Sequence, residues 1–167
     1  FKEFSDKVTS VLSEEDPKNA ASFTANNLAF QQKLDLLHTA VVNTIATLAP
    51  EKRVLVTAHD AFNYFGKAYG FKVVGLQGLS TATEAGVQDV QKLSEYIIAN
   101  KVKAIFIESS VPRRTIEALQ EAVLSKGHQV SIGGSLYSDA LGDGGSVEGT
   151  YVGMFLYNIK TIVNALQ

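Results

Sequence analysis

From Val54 onward the chain alternates four times between a short apolar run and a longer amphipathic stretch, and this alternation limits the fold more than any other feature. The runs span 54–57, 72–76, 102–107 and 129–132. The first, Val54-Leu55-Val56-Thr57, is β-branched with no polar alternation, the pattern of a strand covered on both faces. Helical spacing follows each run, at 61–69, 87–100, 112–125 and 149–165. Gly70 and Lys126-Gly127 read as helix stops, and Gly133-Gly134 as the end of the fourth strand. Strands that alternate with helices join by right-handed crossovers. The predicted class is α/β: a four-stranded parallel sheet flanked by helices.

Ahead of Pro50 the period is helical throughout. Phe1, Phe4, Val8, Val11 and Leu12 recur at helical spacing, and Asp16-Pro17 predicts that this helix stops near Ser13. A second helix is expected from Pro17 to about Leu48, with Phe23, Leu28, Leu34, Leu37, Val41, Ile45 and Leu48 on one broad face. Ala49-Pro50 ends it. The two should form an antiparallel hairpin. A chain that opens inside a helix, with neither a cap nor a basic n-region, reads as a fragment or a processed product.

Composition removes whole classes of function. With 46% hydrophobic residues and a net charge of −2, the 167-residue chain can bury a core and is not disordered. Its apolar runs all fall short of the roughly 18 residues of a membrane-spanning helix. A pI of about 5.9 without a basic cluster leaves no grip on nucleic-acid phosphates. Cysteine is absent, so any metal must be held by nitrogen and oxygen.

Ligands of open parallel sheets bind outside the carboxyl ends of the strands. His59 follows the first strand there, Thr81 and Glu84 the second, Glu108-Ser109-Ser110 the third, and Tyr137-Ser138-Asp139 the fourth. Glu108 closes an apolar strand, where a carboxylate needs a metal, a hydroxyl or a backbone donor as partner. His59 precedes a helix, whose dipole favours neutral imidazole, the metal-binding form. Plainer readings stand beside these. Asp60 reads as the N-cap of the next helix, and Thr81 with Glu84 matches a capping box. Ser109 and Ser110 read as helix-start residues, and His38 and His128 as solvated. Gly142-Asp143-Gly144-Gly145 lacks phosphate-loop spacing, and the serines lack the glycines of a nucleophile elbow. No enzyme is indicated.

Five segments, in order, resemble a known family. Val54-Leu-Val-Thr-Ala-His59-Asp-Ala-Phe62-Asn-Tyr-Phe65, Gly75-Leu-Gln-Gly78 with Ser80-Thr-Ala-Thr-Glu84, and Phe106-Ile-Glu108-Ser-Ser110 are the first three. Tyr137-Ser-Asp139-Ala-Leu-Gly142 and Glu148-Gly-Thr-Tyr-Val-Gly-Met154 complete the set. Together they resemble the C-terminal lobe of the TroA-like, zinc/manganese-binding solute-binding proteins of ABC importers.

The resemblance implies one Rossmann-like lobe of a two-lobe extracytoplasmic receptor. Residues 1–13 would be the end of the connecting helix, 14–50 a long helix packing on the lobe, and 51–167 the metal-binding lobe, with the N-terminal lobe absent. It implies His59 and Asp139 as ligands of Zn²⁺ or Mn²⁺, with two more ligands from the other lobe. Glu108, Ser109 and Glu84 are placed around the ligands or at the lobe interface. Expected partners are the divalent ion and the ABC permease subunits, in the periplasm or anchored at the outer surface, with the isolated lobe monomeric. The alternative function is a surface adhesin-type lipoprotein module without a transport role.

Overall fold

A computed structural model describes residues 1–78 and 85–167. These fall into two compact units, 1–42 and 43–167.

The first unit holds α1 (Lys2–Glu15), a 3₁₀ turn (Pro17–Asn19) and most of α2 (Ala20–Ile45). Asp16 and Pro17 break the chain between the helices, as their chemistry requires. Polar contacts run antiparallel along the pair: Lys2 Nζ lies 2.8 Å from Asp35, and Asn27 donates to Asp6 at 2.7 Å. One residue departs from the expected apolar face. Leu28 is 61% exposed, while Leu34 and Leu37 are buried.

In the second unit, β1 (Val54–His59), β2 (Lys72–Gln77), β3 (Ala104–Glu108) and β4 (Ser131–Leu136) form one sheet in the order β2-β1-β3-β4. Every pairing is parallel. Helices α3 (Asn63–Tyr69), α4 (Val87–Ala99), α5 (Arg114–Ser125) and α6 (Tyr151–Leu166) supply the crossovers and the final cover. Val56, Ala58, Leu76, Ile105 and Ile107 pack with Leu93, Ile97, Ile116, Leu119 and Val123 in one continuous core. Each buried valine, leucine or isoleucine there contributes about 1.5–3 kcal/mol. Among the described residues, no helix is long and apolar enough to cross a membrane.

Two sequence expectations need correction. The fourth strand does not stop at Gly133-Gly134; it runs through the pair to Leu136, with a register shift opposite Ile105 and Phe106. The glycines serve packing there. A Cβ on Gly133 would sit 2.6 Å from Ala165 Cβ and 2.7 Å from Phe106 Cε1, so only glycine lets α6 lie this close to the sheet. The longer strand delivers Tyr137-Ser138-Asp139 directly to the sheet edge. Asp60 does not cap the following helix either. That helix begins at Asn63, and the Asp60 carboxylate instead accepts from the Gly75 amide at 3.1 Å, tying the end of β1 to β2.

Candidate metal centre

Parallel register brings Gln77, His59, Glu108 and Leu136 into one row across the carboxyl ends of the four strands. Three of the four are polar, and all are buried. Burial at this position calls for partners, which His59 and Glu108 find largely in each other, while Gln77 Oε1 has none.

Glu108 engages His59 with both carboxylate oxygens. Oε1 accepts the backbone N–H of His59 at 2.8 Å, and Oε2 lies 2.8 Å from the ring Nδ1. The second contact has the distance of a hydrogen bond but not its full alignment, so it acts chiefly as a close electrostatic contact. The nearer of the two facing carboxylates, at 2.8 Å against 3.4 Å, favours the neutral tautomer with its proton on Nδ1. Burial pushes the Glu108 carboxyl above the usual carboxylate range. The His59 amide, the neighbouring imidazole and the Ser138 hydroxyl pull it back in part. The backbone beside the ring is also held: the His59 carbonyl accepts from Thr57 Oγ1 at 2.9 Å and from the Ala61 amide at 3.0 Å.

The other ring nitrogen faces solvent through a single carboxylate. Nε2 is 3.4 Å from Oδ2 of Asp139, whose side chain is 55% exposed. With the proton on Nδ1, Nε2 presents a lone pair to a negatively charged oxygen. A cation bound beside both would be held by the two donors together. A buried imidazole oriented by one carboxylate and aimed at another, exposed carboxylate is a donor pair suited to Zn²⁺ and compatible with Mn²⁺. Among the described residues, no group of three or more histidine and acidic side chains is placed to hold a metal ion. The described residues therefore offer a pair of donors.

The remaining candidates are distributed unevenly. Ser109 contributes its backbone amide, which donates to the Leu136 carbonyl at 2.9 Å, while the residue itself is exposed. Ser110 Oγ pairs with Ser138 Oγ at 2.7 Å. Thr81 and Glu84 lie outside the described residues. His38 is exposed, but His128 is half-buried with its Nε2 unpaired, not solvated as its turn position suggests.

One functional neighbour escaped sequence reasoning. Asn158 is a buried carboxamide on α6 that hydrogen-bonds the backbone of Tyr137. A signal for it existed: Asn158 interrupts the apolar face formed by Met154, Ile159 and Ile162.

Comparison with known proteins gives concordant likenesses. Residues 1–165 match the family model described as zinc-uptake complex component A, periplasmic (ZnuA). The chain is 55% identical over 150 residues to the zinc-binding protein TroA of Treponema pallidum, covering 90% of this chain and 49% of that protein. It is 48% identical over 162 residues to the manganese-binding lipoprotein MntA of Bacillus subtilis, covering 97% and 53%. Among solved structures, the periplasmic zinc-binding protein TroA from Treponema pallidum superposes with a TM-score of 0.94 at 53% identity, over 96% of this chain and 58% of that one. The chain thus spans about half the length of the curated relatives it matches.

Proposed function

Because the chain belongs to the zinc-uptake component A family, which includes TroA-like receptors, we propose that it is the C-terminal lobe of an extracytoplasmic binding protein delivering Zn²⁺ or Mn²⁺ to an ABC permease. In this reading residues 1–13 belong to the end of the connecting helix and 51–167 carry the metal site; 14–50 are not one long helix but hold the end of α1, the 3₁₀ turn at Pro17–Asn19 and α2. One observation carries the proposal: His59 Nε2 faces Asp139 Oδ2 at 3.4 Å while Nδ1 is held against Glu108. Imidazole and carboxylate are the ligands; Glu108 orients the ring and does not bind the ion. Two further ligands come from the part of the relatives' length that this chain does not span. Closure of the two halves then completes the coordination shell, and completion marks the loaded state for the permease.

The pairing of both ring nitrogens with carboxylates also speaks against hydrolysis. An imidazole acting as base needs a serine in reach, whereas Ser110 is engaged by Ser138. The adhesin alternative has no comparable observation behind it, since the relatives named above are described by the metals they bind.

A titration of the 167-residue chain with Zn²⁺ tests the assignment. High-affinity zinc sites use three or four protein ligands, so a donor pair should bind no more tightly than about micromolar, near −8 kcal/mol. His59→Ala should abolish that binding. Nanomolar affinity in the monomeric chain, or unchanged binding by His59→Ala, overturns the ligand assignment.

A further inference from the structure

We propose that Asn158 is a positioning residue for Asp139, acting through the backbone of Tyr137; the inference rests on the reading of His59 and Asp139 as metal ligands. The sheet ladder ends at the pair Glu108 and Leu136, with the Ser109 amide donating to the Leu136 carbonyl at 2.9 Å. Tyr137 lies just beyond. Its N–H and C=O sit in a half-buried position where unmet backbone groups are costly. Asn158 meets both. Its Oδ1 accepts from the Tyr137 N–H at 3.0 Å, and its Nδ2 donates to the Tyr137 carbonyl at 2.7 Å.

A carboxamide offers one acceptor and a donor pair much as a peptide unit does, so one side chain stands in for a neighbouring strand. Only 5% of Asn158 is exposed, and its Nδ2 also lies 3.4 Å from Met154 Sδ, which leaves the side chain little freedom to swing. The helix beneath it is anchored at its start by Thr150, whose Oγ1 accepts from the Gly153 amide at 3.1 Å. Holding both polar groups of Tyr137 sets the peptide plane that leads into Ser138 and Asp139. The Ser138 hydroxyl pairs with Ser110 at 2.7 Å, and Asp139 is left with its carboxylate beside His59 Nε2. Asp139 is more than half exposed, so the backbone behind it fixes where its carboxylate sits. Partners that orient ligands in this way are worth roughly 10- to 100-fold in metal affinity.

The test is a double-mutant cycle on Zn²⁺ affinity in the 167-residue chain, with Asn158→Ala and Asp139→Ala. Asn158→Ala should weaken binding roughly tenfold when Asp139 is present, and have little further effect once Asp139 is alanine. Equal losses in both backgrounds mean that Asn158 supports the fold generally, and overturn the proposal. If Asp139→Ala alone leaves affinity unchanged, Asp139 is not a ligand, and both readings fall on that one result. A second readout needs no metal. Amide hydrogen exchange at Tyr137, Ser138 and Asp139 should accelerate in Asn158→Ala while the β1 and β3 amides stay protected. Acceleration spread across the sheet would overturn a local role. Should Asn158→Ala fold poorly, Asn158→Asp keeps the acceptor for the Tyr137 N–H and loses the donor to its carbonyl. It should show the same dependence on Asp139, and additive losses for this variant count equally against the proposal.

Discussion

Glu108 holds His59 at two points, taking its backbone N–H on one oxygen and facing its Nδ1 with the other, each at 2.8 Å. The carboxylate is fully buried, so this grip is maintained against a desolvation cost. A group kept in an unfavourable environment by so specific an arrangement orients the ring rather than adding stability. Glu108→Gln separates the two effects.

The folded carboxyl of Glu108 titrates above its unfolded value. Wild-type protein therefore binds more protons than the unfolded chain between the two values, and its stability falls as pH rises through that window. Glutamine does not titrate. The stability of Glu108→Gln relative to wild type should increase as pH rises from the ordinary glutamate range through the raised value, and level off above it. Zn²⁺ affinity should move the other way. A carboxamide can place its NH₂ against Nδ1, which shifts the ring proton to Nε2 and blocks the metal-binding lone pair; a loss of roughly 10- to 100-fold is expected. Denaturation at several pH values together with a Zn²⁺ titration checks both. A stability difference independent of pH would refute the electrostatic account.

Asp139 should behave oppositely to Glu108. It lies on the exposed side of the ring, and its only polar contact described above is with His59 Nε2. Asp139→Asn should leave the melting temperature nearly unchanged, as surface substitutions within about 0.5 kcal/mol do. It removes the charge that neutralises the ion, so Zn²⁺ affinity should fall at least tenfold. Calorimetry paired with thermal melts reads the split. A variant that loses stability as well as affinity would place Asp139 in the structural framework and not at the metal.

The strands and their order of appearance were legible because apolar β-branched runs have few other uses at this length. His59, Glu108 and Asp139 were legible by position, since each lies at or just past a strand end and the carboxyl edge of a parallel sheet gathers such residues. The demand of Glu108 for a partner was also readable; the structure answers it with an amide and an imidazole. Residues that join distant parts of the chain were not legible. Asp60 resembles a cap in every local respect, and only the pairing of β1 with β2 reveals the Gly75 amide waiting for it. Asn158 lies on a helix whose register against Tyr137 no local rule supplies. Gly133-Gly134 has the local look of a strand end, whereas in the fold the missing Gly133 side chain makes room for α6.

The close packing at Gly133 reaches the site. Gly133 lies between Phe106 of β3 and Ala165 of α6, where an added Cβ would approach both within 2.7 Å. Neither neighbour is the free end of a flexible side chain, so the helix or the strand must shift. Overpacking of this kind costs about 1–3 kcal/mol. Gly133→Ala should therefore lower stability by that order in chemical denaturation. The strain also has a direction. Pushing α6 away from β4 separates Asn158 from Tyr137, and Tyr137 leads into the loop that presents Asp139. Zn²⁺ affinity should thus fall in Gly133→Ala, although the substituted position lies within the strand and makes no contact with either ligand. Trimming the opposing atom should recover both properties in part, so Gly133→Ala combined with Ala165→Gly is the control. Restored affinity in the double variant would tie the metal centre to the seating of α6 on β4, and a loss of affinity that persists there would show that the strain takes another route.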